Sequence, residues 1–247
     1  MLKLARNDLL LDITNRLANA VPDWDDMAVQ YKQTALYKNG RALKRCDRSP
    51  YRKITLDDIS KKFNRAEFIA HKYFSEMYLR RSLRVLCAEY GNRVQFYPIR
   101  SGNICEHYKF VDKDGSLVVY ENTKNKTVTD IDDLLLIDNL PVLFEIKIGR
   151  NYKRSPNRKR EHHIDKALTE EHIKRVTDPI NAFFKEKLNI DEVGYVLVIS
   201  DNQVQPEYSG EQRKFEMMGG VLVPFFTNSD NFTVYLREVM DAHKLWM

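Results

Sequence analysis

Residues 129–149 run Thr-Asp-Ile-Asp-Asp-Leu-Leu-Leu-Ile-Asp-Asn-Leu-Pro-Val-Leu-Phe-Glu-Ile-Lys-Ile-Gly, which reads as a β-hairpin carrying acids where a buried sheet calls for apolar side chains. Burying a carboxylate costs several kcal/mol unless positive charge compensates it. Asp132, Glu145 and Lys147 therefore need a reason to be there, and a divalent cation is the simplest one.

From Val142 to Ile148 the alternation has period two, with Phe144, Ile146 and Ile148 on one face and Leu143, Glu145 and Lys147 on the other. Ile131 to Ile137 is β-branched and leucine-rich on both sides, as in a strand covered on both faces, with its polar positions at one end only. Asp138-Asn139-Leu140-Pro141 supplies the turn. A two-residue loop at 138–139 sets Asp132 directly opposite Glu145, and a four-residue loop at 138–141 sets it opposite Lys147. A three-residue loop would present Asp133 instead, because the parity of the turn decides which side chains share a face. Pro141 is easier to place in the longer loop, which favours Asp132.

Directly opposed side chains on one face have Cβ atoms roughly 4.5–5.5 Å apart, and diagonal ones roughly 7–8 Å. Two carboxylates at either spacing can share one hard cation such as Mg2+ or Mn2+, which takes oxygen ligands and keeps several waters. The backbone carbonyl of Ile146 is a further candidate ligand, and Lys147 is placed to hold or activate a water or to offset charge on a phosphate. If the strand is regular, Asp130 shares the face of Asp132 and could serve a second metal.

Asp132, followed across a strand, a turn and a strand by Glu145-Ile146-Lys147, resembles the PD-(D/E)xK nuclease superfamily, the fold of many restriction enzymes, junction resolvases and repair nucleases. Ile131 stands where the family name has proline. The resemblance implies that Asp132 and Glu145 bind Mg2+ or Mn2+, that Lys147 assists attack by water on a phosphodiester, and that these three are the catalytic residues. It implies an α/β restriction-endonuclease-like core, a mixed sheet flanked by helices in the order α-β-β-β-α-β. The first core helix of that family often adds a glutamate near the metal, and Glu76 is preferred here over Glu67, whose helix-start position is explained by the macrodipole. Such nucleases often dimerise, so a homodimer is one candidate assembly.

The chain has 247 residues, enough for one domain with an extension or two small domains. The order expected is a helical extension over 1–54 and a nuclease-like domain over 55–247. Helices are expected near 4–17, 24–37, 55–63, 65–90, 164–188 and 211–218, the fifth of them kinked or split at Asp178-Pro179. Strands are expected over 93–99, 104–112, 117–121, 193–200 and 220–226. No apolar run suits a membrane span and no signal-peptide pattern opens the chain, so a soluble, cytoplasmic protein is expected. Cys46, Cys87 and Cys105 form no CxxC pair and no disulfide framework, which argues against zinc.

A net charge of +5 says little by itself. Clustering says more: Arg150, Lys153, Arg154, Arg158, Lys159 and Arg160 follow the acidic hairpin directly and suit the phosphates of DNA, with RNA left open. His162, His163 and His172 lack a metal-ligand spacing and read as phosphate contacts or surface residues. Two rival readings remain: a nuclease-fold DNA-binding protein without catalysis, and a regulator using 55–75 as a helix-turn-helix.

Overall fold

A computed structural model describes residues 2–19, 29, 76–97, 102, 105–113, 116–123, 126–147, 167–199 and 209–224. The chain divides into two compact units, one of Met1–Ala20 with Arg80–Thr227 and one of Val21–Leu79 with Asn228–Met247. The first 20 residues thus cluster with the hairpin's unit, a division drawn differently from 1–54 and 55–247. Everything below except Glu76 concerns that first unit.

Its elements are α1 (Asp8–Ala18), the helical residues 76–90 (α2, in this unit from Arg80), β1 (Val94–Phe96), β2 (Tyr108–Lys113), β3 (Ser116–Glu121), β4 (Thr127–Ile131), β5 (Asp133–Ile137), β6 (Leu140–Lys147), α3 (Glu170–Leu188), β7 (Gly194–Ile199), α4 (Ser209–Met217) and β8 (Val221–Pro224). The fold is α/β. A mixed five-stranded sheet runs β1-β5-β6-β7-β8, with β1, β5 and β6 antiparallel in turn and β6, β7 and β8 parallel. Strands β2, β3 and β4 form a separate antiparallel sheet rather than extending the main one.

Parallel β6 and β7 need a crossover, and α3 supplies it. Thr169 caps its start by accepting the His172 N–H, and Asn189, in the left-handed region at φ 56°, ends it. Pro179 lies inside this helix, which runs through Asp178-Pro179 unsplit. Ile173, Val176, Ile180, Phe183 and Phe184 form its buried stripe and join Leu134, Leu143, Tyr195, Leu197 and Ile199 of the sheet in one core. The second sheet adds Phe110, Val119 and Ile131 to that core, with Phe110 edge-on to Phe183 at 5.4 Å between ring centroids.

The opposite face of the sheet is also buried, through Leu135, Ile137, Val142, Phe144, Ile146, Val196 and Val198. Burial on both faces explains why β7 is apolar throughout. Asn7 caps α1 and also donates to the Ile137 carbonyl, while the Leu4 and Ala5 amides donate to the Met218 and Val193 carbonyls. These bonds tie the first residues to both halves of the sheet, to β5 through Ile137 and to the approaches of β7 and β8 through Val193 and Met218.

The hairpin turn is the two-residue form. Asp138 and Asn139 both take positive φ (49° and 66°), as a tight hairpin turn requires. The longer loop favoured by Pro141 is not formed, and the register explains why proline is accepted. Pro141 pairs with Leu136 beside the hydrogen-bonded pair Ile137–Leu140, so the β5 ladder asks no donor of it, and pairing with β7 begins one residue later, at Val142.

Candidate active site

The continuous strand expected over 131–137 is broken at Asp132. β4 ends at Ile131, which pairs with Leu117 in the second sheet, and β5 begins at Asp133 opposite Phe144. Continued by one step, that register sets Asp132 opposite Glu145, and by two steps Ile131 opposite Ile146. Ile131 has turned away, and the Asp132 side chain takes its place: Oδ2 accepts the Ile146 N–H at 2.8 Å. The Ile146 carbonyl leaves the strand on the same side as that N–H.

Glu145 is buried at 7 % exposure on the face packed by α3. Three donors converge on its carboxylate. The Lys147 ammonium bonds Oε1, the Tyr195 hydroxyl donates to Oε2, and His172 Nε2 lies 3.1 Å from both oxygens. Burial alone would raise its pKa, but the His172 hydrogen bond and the Lys147 charge outweigh it and hold the group at about 2, so Glu145 is ionised. Burial, with Glu145 beside it, pushes the Tyr195 phenol well above its ordinary range, so it stays a donor.

The neighbouring acids go elsewhere. Asp133 faces the opposite side of the sheet, where its Oδ1 accepts from Arg80 Nε at 3.2 Å and the same guanidinium holds the Asp132 carbonyl at 3.2 Å through Nη2. Asp130 is exposed on β4, paired with Val118, while its neighbours Thr129 and Ile131 are buried. Neither joins Glu145, because the bend at Asp132 ends the regular alternation that would have aligned Asp130. Glu76 is the first described residue of α2 and belongs to the second unit. Arg150, Lys153, Arg154, Arg158, Lys159 and Arg160, with His162 and His163, lie outside the described residues, as does the helix-turn-helix reading of 55–75.

His172 corrects the sequence reading: it is a buried partner of Glu145, not a surface residue. Its signal was its phase, since His172, Val176 and Ile180 fall at successive intervals of four on the apolar stripe of α3. Tyr195 carried no such signal, because its strand is apolar on both faces and only the parallel register, Leu143 with Tyr195, brings it to Glu145.

Among the described residues no group of three or more His, Cys, Asp or Glu side chains is disposed to hold a metal ion. The Asp132 and Glu145 carboxylates and the Ile146 carbonyl are oxygen donors, the kind that hard cations such as Mg2+ take. Among the described residues, too, no helix is long and apolar enough to cross a membrane. Comparison with protein-family models, curated proteins and solved structures finds no match to this chain.

Proposed function

We propose that this chain is a metal-dependent nuclease that hydrolyses phosphodiester bonds, with DNA as its substrate and a restriction-endonuclease-like core. One observation carries the reading: an ionised, buried Glu145 bonded to Lys147, next in the strand to the Ile146 amide that bonds the Asp132 carboxylate. The element order supports it. Helix α2, the antiparallel strands β1, β5 and β6, helix α3 and parallel β7 follow the α-β-β-β-α-β sequence, with the three-stranded sheet inserted between β1 and β5.

Asp132, Glu145 and the Ile146 carbonyl are the groups that would hold Mg2+ or Mn2+. Such an ion, when bound, makes water a better nucleophile at neutral pH and offsets charge on the phosphate. Lys147, at the end of β6, half-buried and paired with Glu145, is the donor that would orient the attacking water and balance the phosphate's developing charge. The basic run 150–160 follows β6 directly and would grip the polyanion's backbone.

Cleavage of supercoiled plasmid, linear duplex, a four-way junction, single-stranded DNA and RNA, with Mg2+, Mn2+ or EDTA, tests this. The expected result is metal-dependent cutting that Glu145→Gln and Asp132→Asn abolish while circular dichroism stays native. Folded protein that cuts none of these substrates with either metal overturns it.

The filling of Glu145 by three protein donors favours a second reading, a binding protein that keeps the fold without the chemistry. Calorimetry separates the two, since a binding module has no need of Mn2+ at Glu145.

A further inference from the structure

We propose that His172, fixed in one tautomer by Arg175, is a positioning residue that holds the Glu145 carboxylate ready for a divalent cation. The inference rests on the nuclease reading above.

Arginine carries donors and no acceptor. Arg175 Nη2 lies 2.7 Å from His172 Nδ1, a contact that is a hydrogen bond only with Nδ1 accepting, and that state of the neutral ring carries its proton on Nε2. Nε2 is the atom that faces both Glu145 oxygens at 3.1 Å. In the other tautomer an N–H would point at a guanidinium and a lone pair at a carboxylate, so both contacts would repel. Arg175 and Glu145 therefore select the same state of the ring.

The ring is also fixed in space. Its backbone N–H is capped by Thr169 in the first turn of α3, and the following Ile173 and Val176 are buried in the core. Tyr195 adds a second rigid donor from β7. Glu145 is thus gripped from a helix and from a strand, whereas Lys147 reaches it on a flexible four-carbon stem that is 30 % exposed. A carboxylate already ordered by such partners binds a cation without first losing its own freedom, and loss of an outer partner typically weakens metal affinity by about 10–100-fold.

Arg175 is exposed and is placed to act on Glu145 through His172, which separates tautomer control from folding. Nitrogen-15 NMR of the His172 ring in the metal-free protein should show the Nε2–H form, retained in Arg175→Lys and mixed with the Nδ1–H form in Arg175→Leu. Calorimetric Mn2+ titration should show about 10–100-fold weaker binding in His172→Phe, partly restored in His172→Gln, whose amide keeps a donor. The inference is overturned if the parent ring carries its proton on Nδ1. It is equally overturned if folded His172→Phe binds Mn2+ as the parent does while Glu145→Gln has lost it. If His172→Phe does not fold, the two Arg175 variants decide through the same NMR and Mn2+ measurements. Undiminished Mn2+ binding by Glu145→Gln would instead remove the metal reading and this inference with it.

Discussion

The carboxylate of Asp132 accepts the Ile146 amide at 2.8 Å, in place of the Ile131 carbonyl that has left for the second sheet. A side chain therefore finishes a backbone ladder, and in doing so it is drawn to the strand edge where the Ile146 carbonyl stands. Arg80 holds the bend from behind, bonding the Asp132 carbonyl and the Asp133 carboxylate with one guanidinium.

Arg80→Met should cost stability and loosen Asp132. Asp133 is buried, and leaving a buried acceptor short of a partner costs about 1–3 kcal/mol. Urea unfolding of Arg80→Met beside Arg80→Met/Asp133→Leu gives the measurement, with part of the loss expected back in the double variant. Equal loss in both would mean that the Asp133 pair is not the source.

Tyr195→Phe keeps the buried ring and deletes the hydroxyl that donates to Glu145. A hydrogen bond to a charged group contributes about 1.5–3 kcal/mol, so the unfolding free energy at pH 7 should fall by that amount. The Glu145 pKa should rise, which carboxyl NMR would read directly.

Glu145 also sets an acid limit. Its pKa is about 2 in the folded chain against an ordinary 4.5. The folded state therefore binds fewer protons than the unfolded state in this window, and stability falls as pH falls. The contribution is complete above about pH 4.5, is lost as pH drops towards 2, and is on the order of 3 kcal/mol. Denaturant melts in EDTA at pH 7, 4 and 2.5 should show this fall in the parent and a smaller one in Glu145→Gln.

The turn offers a separate check on the register. Asn139 sits at φ 66°, where a Cβ-bearing residue without a local side-chain bond is strained by about 1–2 kcal/mol. Asn139→Ala should lower the melting temperature, and Asn139→Gly should not. Asp138 also accepts two bonds from Arg93, at 2.9 and 2.8 Å, which tie the turn to the segment before β1.

Alternation in Val142–Lys147 and the tight-turn residues Asp138 and Asn139 made the hairpin readable in one dimension, because both signals are local. The choice of loop length was misjudged on Pro141, whose harmlessness depends on where β7 begins to pair. The choice of Asp132 over Asp133 holds with either even loop, but Asp130 aligns with Asp132 only if the strand is regular. Its direction depends on the bend, and the bend exists because β4 pairs with β3 and not with β6.

Sequence by itself determined the hairpin, the shared face of Glu145 and Lys147, and the helix that crosses from β6 to β7, since periodicity and turn chemistry act between near neighbours. Only the tertiary structure decided that Asp132 bonds the Ile146 amide and what surrounds Glu145. Tyr195 arrives through a parallel register, His172 through the packing of α3 on the sheet, and Arg80 through α2 on the far face. Contacts between residues distant in the chain leave no period in it, and burial of the central strands β5, β6 and β7 is what makes them necessary.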